Sequence, residues 1–213
     1  MKVIEFEGID GVGKTTALRF FADQLKRRGY RVLSTRDNGN PYVPVCVQLR
    51  EVILNPEHKI NGVSMELVFA AMRIENSLFN ESVADNYDFI LYDRGWLSHL
   101  SYSDNNTSRD FSKSFYEHFL ANYTHLPTDV IYLDADVEVA SSRRQTRNGV
   151  IDAIEMRGDE FQRKVRASFG YNIERYRDRI DIYIVDANQN IEGVQEQLLK
   201  LIDQYDSLRQ RSQ

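Results

Sequence analysis

Eight residues near the start of the chain, Gly8 to Thr15, have the spacing G-x-x-x-x-G-K-[ST], which is typical of a loop that binds phosphate. They follow the apolar run Val3–Phe6 and precede the helical run Thr16–Arg28. Glycines let backbone N–H groups turn inward around an anion, and a helix N-terminus adds unpaired amides and partial positive charge. The alternative is a glycine-rich turn that only ends a strand. The pattern predicts a nucleotide-phosphate site formed by Gly8, Asp10, Gly11, Val12, Gly13, Lys14, Thr15 and Thr16.

Two side chains of this loop are expected to act on a metal–nucleotide complex. At these positions a lysine, Lys14, reaches the outer phosphates, and the hydroxyl of Thr15 holds Mg²⁺. Asp93 is the expected second Mg²⁺ ligand, because it is a carboxylate that directly follows the apolar run Phe89–Tyr92. The alternative for Asp93 is to cap a helix or close a loop. Asp134 is a weaker candidate and is expected to cap the following helix.

Arginines follow two of the predicted strands. Arg36 and Arg94 leave strand ends toward the crevice where parallel sheets bind ligands, and a guanidinium matches phosphate oxygens. These two residues predict a second phosphate-bearing ligand beside the loop. The alternative is that they form ion pairs with Asp37 or Asp93.

A further arginine cluster, Arg143, Arg144 and Arg147, precedes Asn148-Gly149. On a mobile flap these cations would close over a transferring phosphoryl group and neutralise its developing charge. The alternative is an ordinary solvated helix face.

Short apolar runs alternate with longer amphipathic ones, and these are the elements that must position the polar residues. Strands are predicted at Val3–Phe6, Arg31–Thr35, Phe89–Asp93, Val130–Asp134 and Ile182–Val185. Helices are predicted at Thr15–Arg28, Val45–Leu54, Met65–Asp85, Phe111–Tyr123, Val137–Gln145, Arg157–Tyr176 and Ile191–Leu208. The alternation predicts a three-layer α/β fold with a five-stranded parallel sheet flanked by helices, and the phosphate-loop motif after the first strand assigns it to the P-loop NTPase type. We expect residues 1–213 to form one domain with a short lid at about 143–156.

Composition limits the possible partners. The net charge of −5 argues against a broad basic surface for nucleic acid or membrane, and 42% hydrophobic residues are enough for a core. Cys46 is the only cysteine, which excludes an intrachain disulfide and a multi-cysteine zinc site. No apolar run approaches the ~20 residues that span a bilayer, and the sequence opens on a strand rather than a signal peptide. We therefore expect a cytoplasmic protein.

Five motifs together resemble those of the thymidylate kinase family, in the same order and over nearly the whole chain. The matching segments are Phe6–Thr16 (the opening segment), Thr35–Pro41 (T-R-E-P-G-G-T, altered), Leu67–Arg73 (L-L-F-A-A-x-R), Asp93–Tyr102 (D-R-Y-x-x-S-x-x-A-Y), and Asp152–Glu155 with Phe161 and Val165-Arg166 (D-R-I-E…F…V-R). The resemblance implies transfer of the ATP γ-phosphoryl group, with Mg²⁺, to a pyrimidine deoxynucleoside monophosphate, above all dTMP. It also implies a homodimer, through apolar faces such as those of Val45–Leu54 and Met65–Leu78.

The resemblance assigns further roles. Phe69 would stack on the base, with core packing as the alternative, and Arg73 would donate to the base's carbonyl edge from the same helix face. Asp10 would accept from the 3′-hydroxyl, and Tyr102 would crowd the sugar C2′. Arg36 and Arg94 would hold the acceptor phosphate, with Arg50 assisting. The acceptor site so implied contains Asp10, Arg36, Asp37, Arg50, Phe69, Arg73, Arg94, Ser98, His99 and Tyr102.

On the ATP side, some members of the family carry an arginine in the phosphate loop and others carry it in the lid. The loop position is Gly11 in this chain, which resembles the lid-arginine kind. Arg147 is then the best lid candidate for catalysis beside Lys14 and Arg94, and Arg143 would contact ATP.

The chain also departs from the family pattern. Asp37–Asn40 replaces E-P-G-G, Gly95 replaces a tyrosine and would leave space at the third strand end, and Ala153 removes one lid cation. Ser103 stands where Gln is frequent. His99 would lie near the base or, alternatively, be an uninvolved surface histidine. A modified pyrimidine deoxynucleotide therefore stays open as the acceptor.

Rival functions remain at this point. A deoxynucleoside kinase would use Asp37 as a general base toward a free 5′-hydroxyl, although Arg36 and Arg94 would then have no phosphate to bind. A kinase for a hydroxymethyl pyrimidine within DNA is disfavoured by the acidic composition. A nucleotide-binding switch would need an N-K-x-D segment, which the sequence lacks.

Overall fold

The computed structural model describes residues 1–55, 57–103, 109–146 and 157–211. Within these ranges the chain forms five strands and eight helices. The strands are β1 (Lys2–Glu7), β2 (Val32–Arg36), β3 (Phe89–Asp93), β4 (Asp129–Asp134) and β5 (Asp181–Asp186). The helices are α1 (Lys14–Arg27), α2 (Pro44–Leu54), α3 (Gly62–Ser82), α4 (Trp96–Ser103), α5 (Arg109–Asn122), α6 (Val137–Thr146), α7 (Gly158–Tyr176) and α8 (Ile191–Arg211).

The five strands form one parallel sheet in the order β2-β3-β1-β4-β5, flanked by helices. The predicted α/β fold is confirmed, and every predicted strand lies within one residue of its observed bounds. Asp93 of β3 is in register with Phe6 of β1 on one side and with Arg36 of β2 on the other. The carboxyl ends of these three strands therefore meet at one edge of the sheet, where the phosphate loop begins.

Strand β1 is buried at the centre of the sheet, yet it carries two carboxylates. Because side chains alternate between the faces of a strand, Ile4 and Phe6 share one face, and Val3, Glu5 and Glu7 share the other. Glu5 is 4% exposed and Glu7 is fully buried. Since burying an unpaired carboxylate is costly, both acids need hydrogen-bond donors inside the protein.

Helix α4 supplies those donors, and it is the one described helix that the hydrophobic pattern missed. Its first turn donates backbone N–H groups from Trp96 to Glu5 (3.3 Å) and from Ser98 to Glu7 (2.8 Å). Seven of its eight residues are buried, because it packs against α5 and α7. A helix enclosed in this way has no side that faces solvent, so its polar and apolar residues do not segregate to opposite faces.

The seven predicted helices are confirmed, with ends that differ by up to three residues. None of the described helices is long and apolar enough to cross a membrane. That residues 1–213 form a single domain stays a prediction. Of the predicted lid, residues 143–146 form the end of α6, and the remainder lies outside the described residues.

Candidate active site

The phosphate loop joins β1 to α1 with the backbone that its glycines allow. Gly8, Gly11 and Gly13 have φ values of 140°, 87° and 103°, in the region that other residues rarely adopt. A Cβ atom on Gly8 would lie 2.5 Å from the carbonyl oxygen of Leu133 on β4. The loop therefore needs glycine both for its turn and for its close approach to the sheet.

Lys14 lies folded back across this loop. Its Nζ donates to the carbonyl oxygens of Gly8 (3.0 Å) and Ile9 (2.8 Å), and the residue is 7% exposed. Burial and the nearby Arg94 cation lower the pKa of Lys14 to about 8, although Asp10 partly opposes them. An anion that enters the loop would replace the carbonyl oxygens as the partner of the ammonium group.

The predicted metal ligands are in contact. The Thr15 hydroxyl donates to Oδ2 of Asp93 at 2.6 Å, so the start of α1 and the end of β3 converge. Mg²⁺ prefers oxygen ligands and is usually held by one or two carboxylates together with phosphates and water. Within the described ranges, no cluster of three or more His, Cys, Asp or Glu side chains has metal-binding spacing. The Thr15–Asp93 pair fits a magnesium–nucleotide complex, because the nucleotide itself supplies further oxygens.

Arg94 lies at the centre of the crevice, held by the phosphate loop. Its Nη2 pairs with Asp10, and its Nη1 donates to Oγ of Ser98 at 3.0 Å. The guanidinium also lies 5.1 Å from the ring centroid of Tyr102. Burial alone would raise the pKa of Asp10, but Arg94 and Lys14 outweigh burial and lower it to about 2. The alternative pairing of Arg94 with Asp37 or Asp93 is wrong, since its carboxylate partner is Asp10.

Asp10 has more partners than the sequence indicated. Besides Arg94 it accepts from the Tyr102 hydroxyl and from Nε2 of Gln162, both at 3.1 Å. Ser98 is fixed in turn by Glu7, to which its hydroxyl donates. Gln162 carries no motif signal, and Glu7 stands in the opening motif without an assigned role, because only the fold brings α7 and β1 to this point.

Arg36 reaches the same strand edge but is exposed, and its Nε donates to the carbonyl oxygen of Gly39 at 3.2 Å. Within the described ranges it forms no ion pair, so the alternative pairing with Asp37 is wrong for Arg36 as well. Arg50 donates from Nη1 to the carbonyl oxygen of Asn38 at 3.0 Å. The side chains of both arginines therefore contact the loop that follows β2.

The altered loop after β2 is anchored by asparagines. Asn40 is fully buried, and its Oδ1 accepts from the Thr35 hydroxyl at 2.7 Å. Its Nδ2 donates to Asn76 of α3 at 3.0 Å, and Asn76 donates on to the carbonyl oxygen of Asp37 at 3.0 Å. Gly39, with φ of 77°, passes beneath the Arg50 side chain, where a Cβ atom would lie 2.3 Å from Cδ.

Asp37 itself is buried, at 3% exposed, and forms an ion pair with Arg73 at 2.7 Å. Burial raises the pKa of Asp37, while Arg73 and Asn76 partly oppose this rise. An acid enclosed in this way faces α3 rather than an open crevice. The structure therefore does not present Asp37 as a general base toward a bound hydroxyl group.

The predicted base-binding residues come together on α3 and α4. The rings of Phe69 and His99 lie 5.2 Å apart between centroids, and Nη1 of Arg73 is 2.9 Å from Nδ1 of His99. Phe69 is half-buried and packs against the small apolar cluster of Val43, Cys46 and Met72, so both the stacking role and the core role fit its position. His99 is buried, at 6% exposed, and the alternative of a surface histidine is wrong.

The space expected at Gly95 is filled. A Cβ atom on Gly95 would lie 1.8 Å from Cδ of Glu5, so the carboxyl group of Glu5 occupies that volume. The sequence could not indicate this, because the two residues are ninety positions apart and come together only because β1 pairs with β3, which ends two residues before Gly95. Burial, together with the carboxylates of Glu7 and Asp37, raises the pKa of Glu5 well above its ordinary value.

Two of the three clustered arginines are bound to the site. Nη1 of Arg143 donates to the carbonyl oxygens of Val12 (3.3 Å) and Ala187 (2.8 Å). Arg144 donates to the carbonyl oxygen of Asp10 at 2.5 Å and pairs with Asp159 at 2.6 Å. The alternative interpretation, that these arginines lie on a solvated helix face, is therefore wrong for Arg143 and Arg144. Arg147 and Ala153 lie outside the described residues.

Helix α6 lies directly over the phosphate loop at Gly11. A Cβ atom there would lie 2.4 Å from the carbonyl oxygen of Ala140 and 2.6 Å from Cγ of Arg144. The backbone therefore leaves no room for an arginine at position 11. Asp134, expected to cap α6, instead accepts from Nε of Arg166 at 2.7 Å.

A parallel α/β sheet with this loop, a strand-end carboxylate on the loop threonine and converging arginines defines a P-loop nucleotide-binding protein. A family model described as Thymidylate kinase matches residues 6–198. The chain belongs to the thymidylate kinase family.

Curated relatives agree with this assignment. The chain is 32% identical over 212 residues to a thymidylate kinase of Exiguobacterium sibiricum, covering 98% of this chain and 97% of the relative. It is 30% identical to a thymidylate kinase of Nitrosospira multiformis, covering 94% of this chain and 96% of the relative. It is also 30% identical to a thymidylate kinase of Bacillus licheniformis, covering 94% of each chain.

Proposed function

We propose that this chain catalyses ATP-dependent phosphorylation of dTMP to dTDP. The observation that carries the proposal is the convergence of Lys14, the Thr15–Asp93 pair and Arg94 at one strand edge. The names of the relatives support dTMP as the acceptor. Mg²⁺, held by Thr15 and Asp93, would supply charge neutralisation between the donor phosphates when it is bound.

The chain's own residues align two anions and balance their charge. The acceptor phosphate is already anionic at pH 7, so no general base is required. Lys14 would hold the outer phosphates of ATP, and Arg94 would bind the acceptor phosphate after exchanging part of its contact with Asp10. Catalysis would come from in-line positioning and from electrostatic stabilisation in a site closed to water. Arg147 stays a prediction for the lid cation.

The acceptor class is tested by a panel of nucleotides with Mg-ATP. Rates for dTMP, dUMP, a 5-substituted dUMP, dCMP and UMP define the base and sugar preference, and thymidine tests the deoxynucleoside kinase alternative. We expect dTMP to have the highest kcat/KM and thymidine to give no product. Phosphorylation of thymidine but not of dTMP would overturn the proposal. The enclosed Asp37–Arg73 pair supports the monophosphate acceptor, because a hydroxyl acceptor would need an open base there.

We further propose a homodimer formed through α2 and α3. Large apolar side chains that are 38–59% exposed lie on and beside these helices, namely Tyr42, Val45, Val52, Leu54, Val63, Leu67 and Leu78. Exposed apolar patches of this kind mark interaction surfaces. Sedimentation equilibrium tests this proposal. The wild type should have twice the chain mass, and Leu67→Glu should shift the equilibrium toward the monomer. A monomeric wild type would contradict the proposed dimer.

The cytoplasmic location of the protein also stays a prediction.

A further inference from the structure

The backbone of Arg94 adopts a conformation that is rare outside glycine. Its φ is 68°, in the left-handed region that other residues seldom enter. Its backbone N–H donates to the carbonyl oxygen of Phe6 on β1 at 3.0 Å, so the turn after β3 leaves the sheet beside the phosphate loop. A strained conformation of this kind persists only where the surrounding structure fixes it. Neighbouring groups must therefore hold this turn in place.

Glu7 holds the turn from β1 through Ser98. Its Oε1 accepts the backbone N–H of Ser98 at 2.8 Å, and its Oε2 accepts the Ser98 hydroxyl. Both oxygens therefore act as acceptors, as in an ionised carboxylate. Burial raises the pKa of Glu7, while the hydrogen bonds from Ser98 and the cations Arg94 and Lys14 oppose this rise. Because Glu7 is fully buried, it can act on a substrate only through other residues.

The Ser98 hydroxyl connects Glu7 to Arg94. A hydroxyl group has one proton and two lone pairs. Because the proton of Ser98 is directed at Glu7, a lone pair is left for Nη1 of Arg94, which lies 3.0 Å from Oγ. Ser98 is 5% exposed, whereas the Arg94 side chain is 23% exposed. The buried pair therefore fixes one end of a guanidinium that reaches the crevice.

The other end of Arg94 contacts a partner that can be exchanged. Nη2 pairs with Asp10 of the phosphate loop, and Asp10 also accepts from Tyr102 and Gln162. Because Asp10 keeps these two donors, part of its contact with Arg94 can pass to an incoming phosphate without leaving an unpaired carboxylate. The Ser98 contact then keeps the guanidinium in place during this exchange.

We propose that Glu7 is a positioning residue for Arg94: through the Ser98 hydroxyl, it holds the guanidinium in the orientation that binds the phosphate of the acceptor nucleotide. The inference rests on the proposed function, which supplies that phosphate. An amide at position 7 has one oxygen, which the Ser98 N–H requires, so its NH₂ group would face the Ser98 hydroxyl. Both the hydrogen bond from that hydroxyl and the negative charge near Arg94 would be lost.

The test compares binding of dTMP with binding of thymidine, which lacks the phosphate, by isothermal titration calorimetry. Glu7→Gln keeps the shape of the side chain. We expect it to weaken dTMP binding at least about fivefold, as for a lost charge-assisted hydrogen bond, and to change thymidine binding less than about twofold. Dissociation constants do not depend on the folded fraction, and Glu7→Met gives the same comparison if Glu7→Gln does not fold.

Glu5→Gln is the matched control. Glu5 lies on the same face of β1 and accepts the backbone N–H of Trp96 in the same turn, but within the described ranges it accepts from neither Ser98 nor Arg94. A disturbance of the turn alone would therefore appear in this variant as well. Its ratio of the dissociation constants for thymidine and dTMP should stay close to the wild-type value.

A double-mutant cycle with Ser98→Ala tests the route from Glu7 to Arg94. Ser98→Ala should itself weaken binding of dTMP more than binding of thymidine. If Glu7 acts through the Ser98 hydroxyl, adding Glu7→Gln to Ser98→Ala should weaken dTMP binding less than about twofold further, whereas independent effects would multiply.

The outcomes are distinct. A wild-type ratio in Glu7→Gln, an equal weakening of both ligands, or independent losses in the double variant would overturn the inference and leave the proposed function intact. A wild type that phosphorylates no dTMP would overturn the proposed function and this inference with it. A loss that is confined to dTMP and that disappears in the Ser98→Ala background is the expected result.

Discussion

The carboxyl group of Glu5 lies directly against the backbone of Gly95, at a distance that leaves no room for a Cβ atom. The same carboxyl group accepts the backbone N–H of Trp96 and so fixes the first turn of α4. That helix carries Ser98, His99 and Tyr102 into the site. A contact between the central strand and a glycine thus sets the position of several acceptor-side residues.

This contact leads to the first prediction. Gly95→Ala should lower the free energy of unfolding by about 1–3 kcal/mol, since a buried side chain must move to admit the methyl group. Adding Glu5→Ala should restore part of the loss, because the shorter side chain vacates the space. Urea denaturation of the single and double variants measures both effects.

Gly170→Ala is the matched control for this pair. Gly170 lies within α7, and a Cβ atom there would meet nothing within 4 Å. The free energy of unfolding of Gly170→Ala should rise slightly or stay unchanged, because alanine has a higher helix propensity than glycine. A Gly95→Ala protein as stable as the wild type would show that Glu5 moves aside at little cost.

Arg94 is expected to be the acceptor-side cation with the largest effect on catalysis. Arg94→Ala should lower kcat/KM for dTMP by about 10²–10³, or ~3 kcal/mol, as for other preorganised electrostatic groups. Steady-state kinetics with several monophosphates measure this loss. Arg19→Ala, an exposed arginine on the outer face of α1, should be near wild type. Near-normal kcat/KM of Arg94→Ala with every acceptor would remove this role.

The lowered pKa of Lys14 predicts that kcat/KM for ATP falls at alkaline pH. Its pKa of about 8 lies below the ordinary value of 10.5, so the free enzyme loses the ammonium proton as pH rises through about 8. Because kcat/KM reports the free enzyme, kcat/KM for ATP should be highest below pH 8 and should fall above it. The fall in kcat should come at higher pH, since bound phosphates stabilise the charged form.

Lys14→Arg tests whether the alkaline fall in kcat/KM is caused by deprotonation of Lys14. An arginine keeps its charge throughout the range, so its profile should stay flat above pH 8 even if its absolute rate is lower. A wild-type profile without an alkaline fall would contradict the prediction. An identical fall in Lys14→Arg would show that another group causes it.

The Thr15–Asp93 contact predicts the metal dependence. Asp93→Asn removes a carboxylate charge but keeps an oxygen at the same place, so it should raise the Mg²⁺ concentration for half-maximal rate about tenfold or more. Titration of the rate with Mg²⁺ at fixed ATP measures the change. Asp134→Asn, at the end of β4, which β1 separates from β3, should leave the Mg²⁺ requirement unchanged. A similar shift in both variants would point to a general electrostatic effect.

The sequence predicted the parts of the site that follow from strand ends. Asp93 and Thr15 meet because parallel strands deliver their carboxyl ends to one edge, and the glycine spacing located the loop. The partners of Arg73 and His99 were beyond reach, because Asp37, Glu66 and Gly95 come to them only through tertiary packing. The filled space at Gly95 was missed for the same reason, since a single glycine does not indicate which distant side chain occupies its place.

The closeness of Gly11 to α6 has a mechanical consequence. The Ala140 carbonyl oxygen packs against the loop at Gly11, and Arg144 donates to the carbonyl oxygen of Asp10, so a shift of the loop is transmitted directly to the helix. A nucleotide that reshapes the loop would therefore also displace α6, so binding of the donor is coupled mechanically to the position of this helix.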